Sequence, residues 1–101
     1  NTVQMNILAA TAPDKFKDQV YNVAVGDRTT LNDLYASIKA SLESSGIQVS
    51  ANPVYRDFRD GDVRHSQADI SKAKNGLGYR PEFTISHGIE QVIPWYMTLS
   101  I

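Results

Sequence analysis

The residues best suited to chemistry are concentrated in one charged segment, residues 55–73. Arginine, aspartate and histidine side chains surround Gly61 there, before the sequence changes to the pattern of a helix. A guanidinium group presents a rigid set of N–H donors that matches phosphate oxygens. A carboxylate three residues later can accept from sugar hydroxyls or orient the guanidinium, and Arg59 and Asp62 have this spacing. The segment therefore predicts a binding site for a phosphorylated sugar.

The same charges have a simpler interpretation. Alternating arginines and aspartates can neutralise one another on a solvated face, where each pair contributes about 0–1 kcal/mol. Charged loops of this kind are common in proteins. The residue types of this segment alone leave both interpretations open.

The length, charge and composition of the chain limit the classes of protein to which it can belong. A chain of 101 residues forms one small domain that buries about 60–68% of its unfolded surface. Its formal charge of −1 disfavours a nucleic-acid-binding protein, which normally has a basic excess. The absence of cysteine excludes disulfides and thiolate chemistry, and no apolar run approaches the length of a membrane span. We expect a cytoplasmic protein that binds neither nucleic acid nor membranes.

Three further patterns are weak signals of catalysis or metal binding. Tyr35 and Lys39 have the Tyr-x-x-x-Lys spacing of a dehydrogenase pair, but this spacing arises often by chance in helices. Residues 76–78 contain two glycines, yet they follow a predicted helix and lack a third glycine, which favours a helix end. His65 and His87 show no spacing of metal ligands. We therefore predict no catalytic residue, no cofactor-binding residue and no metal ligand in this chain.

The charged segment must be positioned by flanking secondary structure, and four helices are predicted. Apolar spacing and capping residues place them from Val3 to before Pro13, from a cap at Thr29 or Thr30 to Gly46, from a cap at Asp69 to Gly78, and from a cap at Ser86 to Tyr96. Val3, Ile7 and Leu8 would form the apolar face of the first helix. Pro94 should kink the last helix or limit its regular part.

Two strands are also predicted. Val20–Val25 is rich in β-branched residues and ends at a Gly-Asp turn, which indicates a buried strand. Residues 47–55 alternate loosely and contain Pro53, which indicates a short edge strand that leads into the charged segment. The charged segment would thereby be anchored at both ends.

The order of these motifs resembles the C-terminal part of nucleotide-sugar epimerases in the extended short-chain dehydrogenase/reductase family. The resemblance is strongest to bacterial UDP-N-acetylglucosamine 4-epimerases. It covers most of the chain and rests on residues 20–31, the charged segment, residues 77–81 and residues 89–96.

The resemblance implies an α/β fold, namely the small C-terminal substrate-binding lobe of an extended Rossmann-type epimerase. This lobe would have about four helices and two or three short strands, and residues 1–101 would form it as a single domain. NAD would be bound by an N-terminal domain that is absent from this chain. The partners would be a UDP-sugar and that missing lobe, and the whole enzyme could be a homodimer that supplies polysaccharide precursors. The isolated chain would be inactive.

The resemblance also assigns roles to three residues. Arg59 would contact the diphosphate, and Asp62 a ribose hydroxyl of uridine. Ser66 stands where epimerases restricted to plain hexoses have a bulky tyrosine, so a serine would leave room for an acetamido group. The implied reaction is the interconversion of UDP-N-acetylglucosamine and UDP-N-acetylgalactosamine at C4. Arg64 and His65 are expected to brace the loop.

Two alternatives remain open at this point. The chain could belong to a UDP-glucose or UDP-uronate epimerase, or to a sugar dehydratase. It could also be a noncatalytic α/β module that docks a partner through exposed helix faces.

Overall fold

The computed structural model of this protein describes residues 1–99, and Ser100 and Ile101 lie outside the described residues. Four α-helices are joined by long segments without regular structure. The helices are α1 (Thr2–Ala10), α2 (Leu31–Ser44), α3 (Ser71–Leu77) and α4 (Ile85–Met97), and a 3₁₀ turn (Asp14–Phe16) follows α1. None of these helices is long and apolar enough to cross a membrane.

The chain forms two compact units. The first unit comprises Asn1–Arg28 and Gln67–Thr84, and it therefore contains α1, the 3₁₀ turn and α3. The second unit comprises Thr29–Ser66 and the described residues from Ile85 onward, with α2 and α4. The single domain over residues 1–101 stays a prediction.

The core of the first unit is built around Tyr79, whose side chain is fully buried. Its hydroxyl donates to the backbone oxygen of Ala24 at 2.7 Å. Burial raises the pKa of the Tyr79 phenol, which keeps the hydroxyl in its neutral, donating form. The other buried members of this core are Met5, Ala12, Ile70, Ala73 and Leu77.

Two amide side chains fasten α1 to the segment after α3. Gln4 donates to the backbone oxygen of Arg80 at 2.8 Å and accepts from its N–H at 3.0 Å. Asn1 donates to the backbone oxygen of Phe83 at 2.8 Å and accepts from the N–H groups of Glu82 and Phe83. These contacts satisfy backbone groups that would otherwise need water or a neighbouring strand.

In the second unit, α2 packs against α4. Helix α2 starts where the sequence predicts, because the Thr30 hydroxyl accepts from the Asp33 N–H at 3.1 Å. The chain leaves the helix through Gly46, whose φ of +88° is costly for other residues. The apolar spacing of α4 predicts a face of Ile89, Val92, Ile93 and Tyr96; Ile89 and Ile93 are buried, whereas Val92 and Tyr96 are 41% and 56% exposed.

The predicted strands are not confirmed, because residues 1–99 contain no strand. Val20–Val25 is irregular, and Val20 is 85% exposed rather than buried. A strand needs a neighbour that supplies repeated backbone hydrogen bonds. Here side chains supply them instead: the Lys72 ammonium donates to the Val20 oxygen at 2.9 Å, and Tyr79 donates to Ala24.

Residues 47–55 are likewise irregular, so the predicted edge strand is wrong. This segment is attached to α2 by two phenol groups. The Tyr35 hydroxyl donates to the backbone oxygen of Ala51, and the Tyr55 hydroxyl donates to Asn32 Oδ1 at 2.8 Å. The described part of the chain is therefore helical with irregular connections, and the strands expected of an α/β lobe are absent from it.

Two details of the predicted helices also differ. Helix α1 buries Met5, whereas Val3 and Ile7 of its predicted apolar face are 71% and 59% exposed. Helix α4 begins at Ile85, so Ser86 is not its cap, and it continues through Pro94 to Met97. A proline inside a helix removes one backbone hydrogen bond, yet the helix is not ended by Pro94 and continues for three more residues.

Helix α3 begins beside Asp69, as predicted. Asp69 Oδ1 accepts from the Ser71 N–H at 2.8 Å, although the residue directly before the helix is Ile70. The helix ends at Gly78, which has the left-handed conformation with φ +68°. Hydrogen bonds from the Ser71 hydroxyl and then from its backbone N–H lower the pKa of Asp69 from its ordinary value of 3.8.

This lowered pKa predicts an acid-dependent loss of stability. The contribution of the Asp69 carboxylate is present above its unfolded-state pKa near 3.8, and it is lost as the pH falls through the lower folded-state pKa. We expect Asp69→Asn to reduce the free energy of unfolding at pH 7 and to change it less at pH 2.5. Urea unfolding of both proteins at the two pH values measures this. A difference independent of pH would contradict the prediction.

Candidate functional site

Residues 58–64 of the charged segment form a loop, called the charged loop below. This loop turns at Asp60 and Gly61. Gly61 has a φ of +84°, a conformation that glycine adopts without a steric cost. The N–H of Asp62 donates to the backbone oxygen of Arg59 at 3.2 Å and closes the turn. The tight turn therefore brings the side chains of Arg59 and Asp62 to the same place.

Arg59 and Asp62 form an ion pair, with 3.2 Å between Arg59 Nε and Asp62 Oδ2. The Arg59 side chain is 86% exposed and that of Asp62 is 44% exposed. At such exposure the pair contributes less than about 1 kcal/mol to stability. Arg59 donates to Asp62 through Nε, and within residues 1–99 neither of its two Nη groups donates a hydrogen bond. The pair can therefore orient a guanidinium whose outer donors suit an anion.

A second contact lies outside this pair in the same loop. The guanidinium carbon of Arg64 stands 4.3 Å from the centre of the Phe58 ring. This distance is within the range of a favourable cation–π contact. Arg64 thus packs within the loop, as expected of a bracing residue.

Ser66 is exposed and is not joined to the pair. In the described part of the chain no side-chain hydrogen bond joins Ser66 to Arg59 or Asp62, which bond to each other. The structure therefore brings together two of the three predicted site residues. The roles of all three residues stay predictions.

Residues 47–55, which lead into the charged loop, are held against α2 by side-chain hydrogen bonds. Tyr55 is bonded to Asn32 near the start of the helix, and Tyr35 reaches Ala51. Tyr35 therefore has a structural partner. Lys39 lies 3.9 Å from Glu43. The loop is thus attached on its N-terminal side by side chains rather than by a strand.

Two clefts formed by the described residues lie away from Arg59, Asp62 and Ser66. The first unit has a cleft of about 510 Å³ beside α3, and the second has one of about 490 Å³ after α2. Residues of the first cleft include Asp27, Asp69 and Lys74, whereas the second lies between Glu43 and Ser50. Arg59, Asp62 and Ser66 line neither of them. The candidate site is consequently an exposed loop that could form one wall of a larger site.

The glycines at positions 76 and 78 have structural roles in α3. Gly76 lies inside α3 with the Phe16 ring against it, and Gly78 ends that helix, so these glycines do not form a dinucleotide-binding turn. No group of three or more metal-ligating side chains is present in residues 1–99.

Sequence reasoning missed Phe58, Tyr35 and Tyr55 as residues that shape the loop. The Asp-Gly turn was a usable signal for Phe58, because a turn at residues 60–61 returns the chain and can bring Phe58 near Arg64. No local signal identified the two tyrosines. Their partners are 16 and 23 residues away in sequence.

Comparison with known proteins gives a consistent result. No protein-family model matches the chain. The chain is 29% identical over 89 residues to a dTDP-L-rhamnose 4-epimerase of Burkholderia thailandensis, a match that covers 88% of this chain and 23% of the relative. It is 26% identical over 82 residues to the UDP-glucose 4-epimerase of Mycolicibacterium smegmatis, covering 81% and 25%.

A solved structure agrees with these relatives. The chain superposes on a UDP-glucose 4-epimerase from Thermotoga maritima, crystallised with UDP-glucose, with a TM-score of 0.80 and 31% identity. The match covers 96% of this chain and 29% of the epimerase. The chain spans about a quarter of the length of the curated relatives it matches. It therefore has the fold of part of a UDP-glucose 4-epimerase and is similar to nucleotide-sugar epimerases over most of its length.

Proposed function

We propose that this chain is the substrate-binding portion of an NAD-dependent nucleotide-sugar epimerase and binds the nucleotide half of a UDP-sugar. The observation that carries the proposal is the Arg59–Asp62 pair on an exposed turn. Arginine donors match diphosphate oxygens, and the Asp62 carboxylate can accept from a ribose hydroxyl. The likeness to an epimerase crystallised with UDP-glucose supports the same ligand class.

The proposed reaction of the whole enzyme is epimerisation at C4 of a UDP-hexose. NAD would be bound by a part of the enzyme outside this chain, and it would take up and return the hydride at C4. This chain would supply binding and orientation alone, so we propose that it is inactive by itself. A homodimer, a cytoplasmic location and a role in polysaccharide precursor supply belong to the same proposal.

The preferred sugar is proposed to be UDP-N-acetylglucosamine or its C4 epimer. Support comes from Ser66, whose small side chain leaves room for an acetamido group and offers one hydroxyl. The relatives named above are a dTDP-L-rhamnose 4-epimerase and a UDP-glucose 4-epimerase, and their names point to other sugars. An epimerase for one of those sugars is an equally compatible alternative.

Titration of the 101-residue chain with UDP, followed by NMR of its backbone amides, tests the proposal. We expect chemical-shift changes that cluster at Arg59, Gly61 and Asp62, because an anion bound by the guanidinium alters the field around the turn. Uridine and inorganic phosphate, added separately, are the matched controls. Shifts with UDP that exceed those of either control support recognition of the whole nucleotide.

Other outcomes would contradict the proposal. Shifts equal to those with inorganic phosphate would indicate a general anion site. A well-dispersed spectrum without any shift would overturn a preformed binding surface on this chain and would favour the interaction module.

The sugar assignment makes a separate prediction for the full-length enzyme. Ser66→Tyr should reduce kcat/KM for UDP-N-acetylglucosamine at least tenfold more than for UDP-glucose, since a phenol ring would fill the space for the acetamido group. Parallel assays of the two sugars measure the ratio. Ser66→Ala, which keeps the space, is the control and should leave that ratio within about threefold. Equal losses with both sugars would refute the assignment.

A further inference from the structure

The loop that carries the Arg59–Asp62 pair contains a second contact, the stack of Arg64 on the Phe58 ring. Phe58 directly precedes Arg59, and Arg64 follows Asp62 by two residues. The residues of the Arg64–Phe58 stack, 4.3 Å apart, therefore flank the ion pair in sequence within one seven-residue loop, residues 58–64. Both contacts bring together residues from opposite sides of the Asp60–Gly61 turn.

The environment of Phe58 indicates that this contact is not part of a hydrophobic core. The ring is 69% exposed, and the core residues of both units lie elsewhere in the sequence. Burial of the ring therefore cannot be what fixes the loop. The Phe58 ring instead forms a cation–π contact with the guanidinium of Arg64.

The Arg59–Asp62 ion pair needs such support because it is weak by itself. Exposed ion pairs are close to neutral in stability, so Arg59 and Asp62 alone would hold the turn only part of the time. An exposed cation–π contact shifts such an equilibrium by about two- to fivefold. Closing the loop with this stack would raise the fraction of molecules in which Arg59 is ready to meet an anion.

We propose that Phe58 and Arg64 are positioning residues that hold the loop in the conformation in which Asp62 orients Arg59 toward the diphosphate of a nucleotide sugar. This inference rests on the proposed function. Arg64 acts here through the ring of Phe58. Neither residue needs to touch the ligand.

Two variants that remove the stack test the proposal. Phe58→Leu keeps an apolar side chain without the π face, and Arg64→Gln removes the cation. We expect each to weaken UDP binding about two- to fivefold, and the double variant to weaken it no more than the stronger single variant. Phe58→Trp should restore wild-type affinity, since indole is the best partner for a cation.

Arg56→Gln is the matched control, because Arg56 lies in the same charged segment and its side chain forms no hydrogen bond, ion pair or cation–π contact within residues 1–99. This variant measures the loss of UDP affinity that comes from the change in net charge alone. The second readout is the order of the loop without ligand, measured by ¹⁵N relaxation of the Asp60, Gly61 and Asp62 amides. We expect this order to fall in Phe58→Leu and Arg64→Gln and to stay unchanged in Arg56→Gln.

The possible failures can be told apart. A wild-type chain that does not bind UDP overturns the proposed function and the positioning role together. A wild-type chain that binds UDP, with affinity and loop order unchanged in Phe58→Leu, overturns the positioning role alone. Losses in the two single variants that add in the double variant also overturn it, because residues that act as one contact are not additive.

Discussion

Tyr79→Ala is expected to lower the free energy of unfolding by about 3–5 kcal/mol, the usual cost of truncating a buried aromatic residue. Tyr79 is fully buried, and it packs within the core of the first unit. The truncation would leave a cavity beside Ala73. It would also remove the hydrogen bond that the Tyr79 hydroxyl donates to the Ala24 oxygen. A domain of this size has a stability of about 5–15 kcal/mol. Urea unfolding followed by circular dichroism measures the loss.

Tyr79→Phe separates packing from hydrogen bonding. It keeps the ring and removes only the hydroxyl, so we expect a smaller loss of about 1 kcal/mol. Tyr96→Ala is a control, since Tyr96 is 56% exposed in the second unit. A loss for Tyr79→Ala no larger than that for Tyr96→Ala would show that the core of the first unit is not organised around Tyr79.

Arg59→Ala is expected to weaken UDP binding by about 1.5–3 kcal/mol, the usual range for hydrogen bonds to charged groups. This corresponds to about a tenfold to hundredfold rise in Kd. The reason is that the variant removes the donors proposed to meet the diphosphate and leaves Asp62 without the cation 3.2 Å away. The NMR titration with UDP measures the change. The same variant should not affect the free energy of unfolding by more than about 1 kcal/mol, because the ion pair is exposed.

Arg56→Ala distinguishes a specific contact from general attraction. Arg56 carries the same charge in the same segment, but it lies outside the turn closed by Arg59 and Asp62. We expect a loss of affinity below about threefold, from the change in net charge alone. Equal losses for Arg56→Ala and Arg59→Ala would refute a defined diphosphate contact at Arg59.

The candidate site was predictable from sequence only in part. Arg59 and Asp62 are three residues apart with a glycine between them, so local chain geometry is enough to pair them. Ser66 lies beyond the turn, and its assignment to the sugar pocket depended on a resemblance rather than on local geometry. The partner of Arg64 was missed although the turn at residues 60–61 offered a local signal, because an exposed phenylalanine belongs to no apolar pattern that would draw attention to it.

The sequence by itself determined the number and approximate position of the four helices. Thr30, Gly46 and Gly78 act through hydrogen bonds and backbone angles within a few residues of themselves, so their effect can be seen in the order of residues alone. Apolar spacing identified one side of α4 as apolar, but only Ile89 and Ile93 of it are buried, while Val92 and Tyr96 are exposed. The capping residues and helix ends are local features, and local physics fixes them.

Only the tertiary structure decided the state of the segments between the helices and the buried face of α1. Val20–Val25 has the composition of a strand, yet its carbonyl groups accept from Lys72 and Tyr79, which are 52 and 55 residues away from their acceptors. Met5 is buried in place of Val3 because the core of the first unit lies on that side of α1. Strand pairing and burial depend on which groups the folded chain brings alongside, and residue types within one segment do not contain that information.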